Sequence, residues 1–303
     1  MSLNFNLNLN LKLTGFYRIV VRRPDQTPRT DTGWFANLVT DAGLNRIGTG
    51  TWMDRCEVGT SNATPSVNDT ALSGPLAVTS TVLGASYGAQ GSEPYYGYRT
   101  VTYSFAAGTA TGNIAEVGVG WDGGLFSRAL TVDGNGNPTQ ITVLADEELE
   151  VSYQVRIYPP LTDTVYTATL AGVSTTCTAR AANVTSGTQY AWGLQGAMIE
   201  ISSDGVSNSP KVFSGAIGAI TSSPGGTSGN STGRSSAAYV NNSLERAFTA
   251  NWPMANGNFT LGITAVQFHT TGFGSYQIGF DPPIMKTSLD ALSMGFKVTW
   301  SRP

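Results

Sequence analysis

Two stretches almost half the chain apart carry the same pattern of residues, and that repetition constrains the fold more than any other feature. Residues 99–114 read RTVTYSFAAGTATGNI and residues 246–259 read RAFTANWPMANGNF. In each, an Arg is followed by Thr three positions on, by an aromatic residue six positions on, and by a closing Gly-Asn-apolar triplet. The echo continues downstream. Leu149, Val151, Tyr153, Val155 and Ile157 alternate with polar residues, as do Leu292, Met294, Phe296, Val298 and Trp300. Each of these closing runs follows a segment that starts at proline, Pro138 in one case and Pro282 with Pro283 in the other. A strand with one buried face must alternate apolar and polar side chains, because successive side chains point to opposite faces of the sheet. The chain therefore reads as a duplicated β domain.

Length and composition agree with that reading. A chain of 303 residues accommodates two domains, each large enough to bury a core. The expected fold class is all-β, with two related antiparallel β-sandwich domains in series and one short helix near residues 37–47. The expected division is into docking strands over 1–33, a first sandwich over 34–160 and a second over 161–303. The boundary sits at Pro159 and Pro160, which cannot donate ladder hydrogen bonds. Only 12% of the residues are charged, against a usual ~25%. So neutral an exterior is poorly defended against association, and it predicts a surface covered by other subunits, including copies of the same chain. The net charge of −3 offers nothing to nucleic acid or to an anionic membrane.

The N-terminal segment MSLNFNLNLNLKLTG lacks a basic start followed by an apolar core, so it does not read as a signal peptide. No apolar run approaches the ~20 residues of a membrane helix. Cys56 and Cys177, one in each proposed domain, are expected to be buried free thiols of a protein made in a reducing cytoplasm. Leu3, Phe5, Leu7, Leu9, Leu11 and Leu13 alternate with Asn and Lys, giving a strand with one leucine-rich face. Such a strand must dock onto a remote sheet edge or onto another subunit, which makes these six residues candidate interface residues. A turn at Thr14 and Gly15 would lead into a second strand, FYRIVVRR. Residues 84–98 form a Gly- and Tyr-rich loop in which Tyr87, Tyr95, Tyr96 and Tyr98 are the best candidate binding surface, for a protein neighbour or for a glycan. Residues 202–236 read as a flexible Gly/Ser-rich insertion.

Catalytic patterns are missing from the sequence. The single histidine, His269, cannot form a multi-histidine metal site, and its apolar neighbours at alternate positions suggest a strand residue facing a loop or an interface. DGNGNP at 133–138 begins like a calcium loop, but Pro138 replaces the turn glycine and Leu144 stands where the bidentate Glu belongs, so it reads as a hairpin turn. DEELE at 146–150 reads as a solvated turn rather than a glycosidase pair. No cofactor is expected, and no enzymatic activity.

A series of phrases in order, NLVTDAGLNRIG, CEVGT, AEVGVG, LFSRAL and PTQITVLADEELEVSYQVRIYP, resembles tail proteins of tailed bacteriophages, particularly fibre and baseplate-associated proteins. The resemblance covers roughly residues 34–160, and YQIGFDPPIMKTSLDALSMGFKVTW is similar to the closing strands of such proteins. It implies a non-enzymatic virion component of the tail tip or baseplate, made in the bacterial host. Such a component would hold or form host-recognition fibres, with other tail proteins as partners and a host receptor or glycan as a further one. Two other functions stay open: a lectin-like receptor-binding module and a capsid or neck decoration protein.

Overall fold

The computed structural model describes residues 2–4, 9–201 and 209–303, and for residues 2–4 and 9 the backbone alone. The protein is all-β, built of several largely antiparallel sheets with one short helix. Its longest strand is β1, Leu9–Arg22. Leu11, Leu13, Tyr17, Ile19 and Val21 all lie in the core, so the alternation runs through Gly15 without a turn. The hairpin expected at Thr14 and Gly15 is therefore a single continuous strand. Gly15 is needed for space, since a Cβ there would lie 2.5 Å from both Tyr153 Oη and Asn37 Oδ1.

Strands of the first half include β2 (Leu38–Val39), β3 (Arg55–Gly59), β4 (Pro75–Thr79), β5 (Val82–Ala89), β6 (Gly97–Phe105), β7 (Glu116–Trp121), β8 (Gly124–Leu130) and β9 (Glu148–Tyr158), with further short strands at Pro28–Asp31, Phe35–Ala36, Gly112–Ile114 and Ile141–Val143. Strands of the second half include β10 (Val173–Ala182), β11 (Lys211–Phe213), β12 (Ser228–Asn230), β13 (Gly233–Ser236), β14 (Glu245–Trp252), β15 (Ile263–His269), β16 (Ser275–Ile284) and β17 (Leu292–Ser301). In the first half β2-β8-β7-β3-β4 form one sheet and β9-β6-β5 belong to a second. In the second half β10-β16-β15-β11-β12 form one sheet and β17-β14-β13 belong to the other. Adding eight to each label of the first set gives the second. The register repeats as well: Arg99 lies opposite Val155 and Phe105 opposite Leu149, while Arg246 lies opposite Val298 and Trp252 opposite Leu292. The echo in the sequence thus marks equivalent strand pairs. Outside this shared order, the second half has a strand, Thr164–Leu170, on the outer edge of β10, and the first has a separate pair, Gly112–Ile114 with Ile141–Val143.

The halves are joined more closely than domains in series. Strand β1 lies between the two closing strands, antiparallel to β9 and parallel to β17, and makes one ten-stranded sheet that runs through both halves. The expected boundary after residue 160 does follow β9, but it divides the chain and not the sheet. The buried residues of both halves form one continuous core, with Trp52 stacked on Phe126 at 4.4 Å in the first half and Phe268 on Phe296 at 4.4 Å in the second. Bonds also cross between halves in both directions. Trp52 Nε1 donates to Ala197 O at 3.1 Å, and Trp300 Nε1 donates to Leu44 O at 2.8 Å. The two repeat arginines face this seam. Arg246 donates to Gly48 O at 3.1 Å, and a Cβ on Gly196 would lie 3.3 Å from Arg99 Cδ.

The helix is Asp41–Arg46, capped by the Thr40 hydroxyl, which accepts from Gly43 N at 2.9 Å. It starts later than the expected residue 37 because 38–39 pair with β8. The segment read as a flexible insertion holds β11, β12 and β13, the counterparts of β3, β4 and β5; its residues 202–208 lie outside the described residues. Cys56 and Cys177 are buried free thiols.

Candidate binding and assembly surfaces

The leucine face splits into two parts. Leu11 and Leu13 are buried in the chain's own core, so these two are not interface residues. Residues Leu9–Lys12 pair with β17, which makes the remote sheet edge an intramolecular one. The backbone of Ser2–Asn4 also pairs with β17, whereas the side chains of Leu3, Phe5, Leu7 and Leu9 lie outside the described residues.

The four tyrosines do not form one loop. Tyr87 lies in β5 and Tyr98 in β6, and the pairing of these strands sets Tyr87 opposite Arg99 and Gly88 opposite Tyr98. Only residues 90–96 connect them. Tyr87 is exposed, while Tyr95, Tyr96 and Tyr98 are half-buried. Tyr95 packs against the core. Tyr96 contacts the Tyr98 ring at 6.3 Å and the Tyr158 ring at 5.8 Å. The guanidinium of Arg156 is held between two rings, 4.4 Å from Phe16 and 4.5 Å from Tyr96. Its orientation is fixed by a bond from Arg156 Nε to Gln154 Oε1 at 2.6 Å. These residues form an aromatic strip with a cation in it on the outward face of the ten-stranded sheet. The attraction between a cation and a ring face spends part of the aromatic surface inside the molecule.

The two acidic motifs take structural roles. Asp133 Oδ1 accepts from Asn135 N at 2.8 Å and from Asn137 N at 2.9 Å, closing the turn. These backbone bonds hold the Asp133 carboxyl below the usual range. In the run 146–150, Glu147 pairs with Arg29 and Glu150 with Arg22, so the two carboxylates are spent in separate ion pairs. Among the described residues no group of His, Cys, Asp and Glu is placed to hold a metal ion.

The sequence reading missed an open apolar surface on the first sandwich. Strand β4 is the last strand of its sheet and β5 the last of the other, and the chain crosses between them at residues 80–81. This flank of the first sandwich exposes Leu76, Val78, Val82, Leu83 and Tyr87. Natural sheet edges are blunted by charge, proline or cover, since a free row of backbone donors and acceptors invites another strand. Here the whole span 70–92 carries no charged side chain, which is the signal that could have found the flank. The equivalent flank of the second sandwich, β12 and β13, is short and shielded. Trp252 Nε1 donates to Gly229 O at 2.9 Å, Asn256 Nδ2 donates to Asn230 O at 3.2 Å, and the Ser236 hydroxyl accepts from Ile201 N at 3.2 Å.

Comparison of the chain with protein-family models, with curated proteins and with solved structures gives no match.

Proposed function

We propose that this chain is a non-enzymatic structural subunit of a phage tail, at the tail tip or baseplate, where it holds or forms host-recognition fibres. It assembles through the open flank of its first sandwich, with copies of itself or with neighbouring tail proteins. The observation that carries the reading is the uncharged double edge of β4 and β5, set against its shielded counterpart β12 and β13. Two sandwiches locked by a shared strand suit a rigid assembly unit, and the weakly charged composition suits a surface covered by neighbours. A second reading, a receptor- or glycan-binding module, is favoured by the aromatic strip around Tyr96 and Arg156, because ring faces stack on sugars.

Particles carrying a label on this chain, imaged in negative stain, locate it directly; label at the tail tip or baseplate is expected, and label on the capsid or neck would overturn the reading. The two surfaces separate by mutation. Leu83→Lys with Val78→Lys should abolish association in sedimentation velocity while leaving the fold unchanged. Tyr96→Ala with Tyr98→Ala should leave particles intact. Intact particles that no longer adsorb to host cells would transfer the role to the receptor-binding reading.

A further inference from the structure

The outward face of the sheet β10-β16-β15-β11-β12 is covered by residues 183–191 and 214–226. Val184 N donates to Ile220 O at 3.0 Å, and Arg180 reaches Gly218 O at 2.9 Å. Between cover and strands lies a cavity of about 420 Å³ whose wall includes Asn183, Ser186, Thr188, Lys211, Gln267 and His269. That volume is in the range of small-molecule sites, and the wall is mostly polar. Among the described residues no carboxylate lines it.

The duplication shows what is unusual about this place. Lys211 lies opposite Gln267 in β15, as Glu57 lies opposite Gly118 in β7. In the first sandwich, Glu57 and Asp122 both pair with Arg55 at 2.8 Å, so the cation there is met by carboxylates. In the second sandwich, Lys211 has no carboxylate within ion-pair distance among the described residues. His269 stands two residues beyond Gln267 on the same face; its ring is hydrogen-bonded to the Tyr190 backbone, while its buried Nδ1 has no hydrogen-bond partner. An unmatched cation, an unsatisfied ring nitrogen and a set of hydroxyl and amide groups around one cavity are the chemistry of a site for a polar anion.

We propose that this cavity binds a small hydroxyl-rich ligand bearing one anionic group, a carboxylate or a phosphate, whose charge is matched by Lys211 while His269 and the hydroxyls of Ser186 and Thr188 contact the polar remainder. Burial pushes the His269 imidazole down to about 4, so at neutral pH the ring is uncharged and Lys211 is the cation of the site. The inference goes beyond the assembly reading and does not depend on it.

His269 is the only histidine in the chain, so its ring resonances report on the cavity without assignment ambiguity. The full-length protein should be titrated with sodium glucuronate, inorganic phosphate and glucose while those resonances are followed. A saturable shift with glucuronate, with phosphate or with both is expected, and which of them acts identifies the source of the anionic group. Glucose should give a tenfold weaker response or none. Lys211→Met should weaken the anion response at least tenfold, and Lys211→Arg should retain most of it, both with unchanged circular dichroism and unfolding midpoint. Three results would each overturn the proposal: no saturable shift with either anion, glucose as effective as glucuronate, or an unaltered response in a folded Lys211→Met.

Discussion

The two sandwiches share their topology, but they tie down their covering segments with different chemistry. In the first, Arg128 and Glu116 do the work as an ion pair buried on the outward face of β7 and β8. Arg128 Nε donates to Glu116 at 2.8 Å, and its other nitrogens reach Asp69 at 2.6 Å and Ala63 O at 2.9 Å. Glu116 in turn accepts from Ser73 N at 3.1 Å and Gly74 N at 2.6 Å, so the span 61–74 is held at several points. In the second sandwich an uncharged residue, Gln277, holds the same stretch of cover that Arg180 also reaches. Its amide nitrogen bonds to Gly218 O and Ala219 O at 3.1 Å each, and its oxygen accepts from Gly218 N at 2.8 Å. An amide is donor and acceptor at once and carries no desolvated charge, whereas an ion pair needs both members. The two halves share a strand order, yet each solves its own polar burial.

The largest expected effect breaks the charged anchor. Arg128→Met leaves Glu116 buried without its counterion and should cost about 3–5 kcal/mol in urea unfolding. Adding Glu116→Gln should return a substantial part of that loss. A single variant within 1 kcal/mol of the parent, on the same order as a surface change, would show that the pair is not the anchor.

Next comes a pH dependence that belongs to the second sandwich alone, because the chain's one histidine lies there. The folded-state value of His269, about 4, is below its value in the unfolded chain. As pH falls, the unfolded chain takes up the proton first, so stability present above about pH 6.5 is lost on the way down to pH 4. The loss should be roughly 3 kcal/mol, at ~1.4 kcal/mol per unit of difference. In His269→Gln this component of the pH profile should vanish. An identical slope in parent and variant would assign the acid sensitivity to other groups.

A smaller effect is expected from the neutral anchor. Gln277→Leu removes one amide and strands the Gly218 backbone N–H, at a cost of about 1–3 kcal/mol. Hydrogen exchange should rise over 214–226 and stay unchanged over 61–74. If both covering segments open together, the two halves are not independent in this respect. The smallest effect concerns the open flank, where Leu83→Lys should change unfolding free energy by no more than about 0.5 kcal/mol, as expected for an exposed position. A large loss of stability would mean that Leu83 is part of the fold and not of a contact surface.

Much of the β architecture was legible because strand alternation is local. The alternation in residues 149–157 and 292–300 found β9 and β17, and the Arg-Thr-aromatic echo found β6 and β14 in their true register. The same rule, carried through Gly15, would have shown one strand in place of a hairpin, since Tyr17, Ile19 and Val21 continue the phase of Leu11 and Leu13. Glycine is an ordinary turn signal, but here the neighbouring Tyr153 hydroxyl is the reason for it. The Gly/Ser-rich span misled in a similar way: β11, β12 and β13 are too short to show a period, and only pairing with neighbouring strands makes them strands.

The class of fold, the repeated strand pattern and the apolar faces of the long strands could be read from residue order, because each depends on a period that a few consecutive residues carry. Folding of the whole chain was needed for β1 to join the two sandwiches into one sheet, for Tyr96 to clasp Arg156, and for Lys211 and His269 to meet at one cavity. Those outcomes rest on partners dozens to hundreds of residues away. Hydrogen-bond pairing and burial fix such partners only once the whole chain has closed around them.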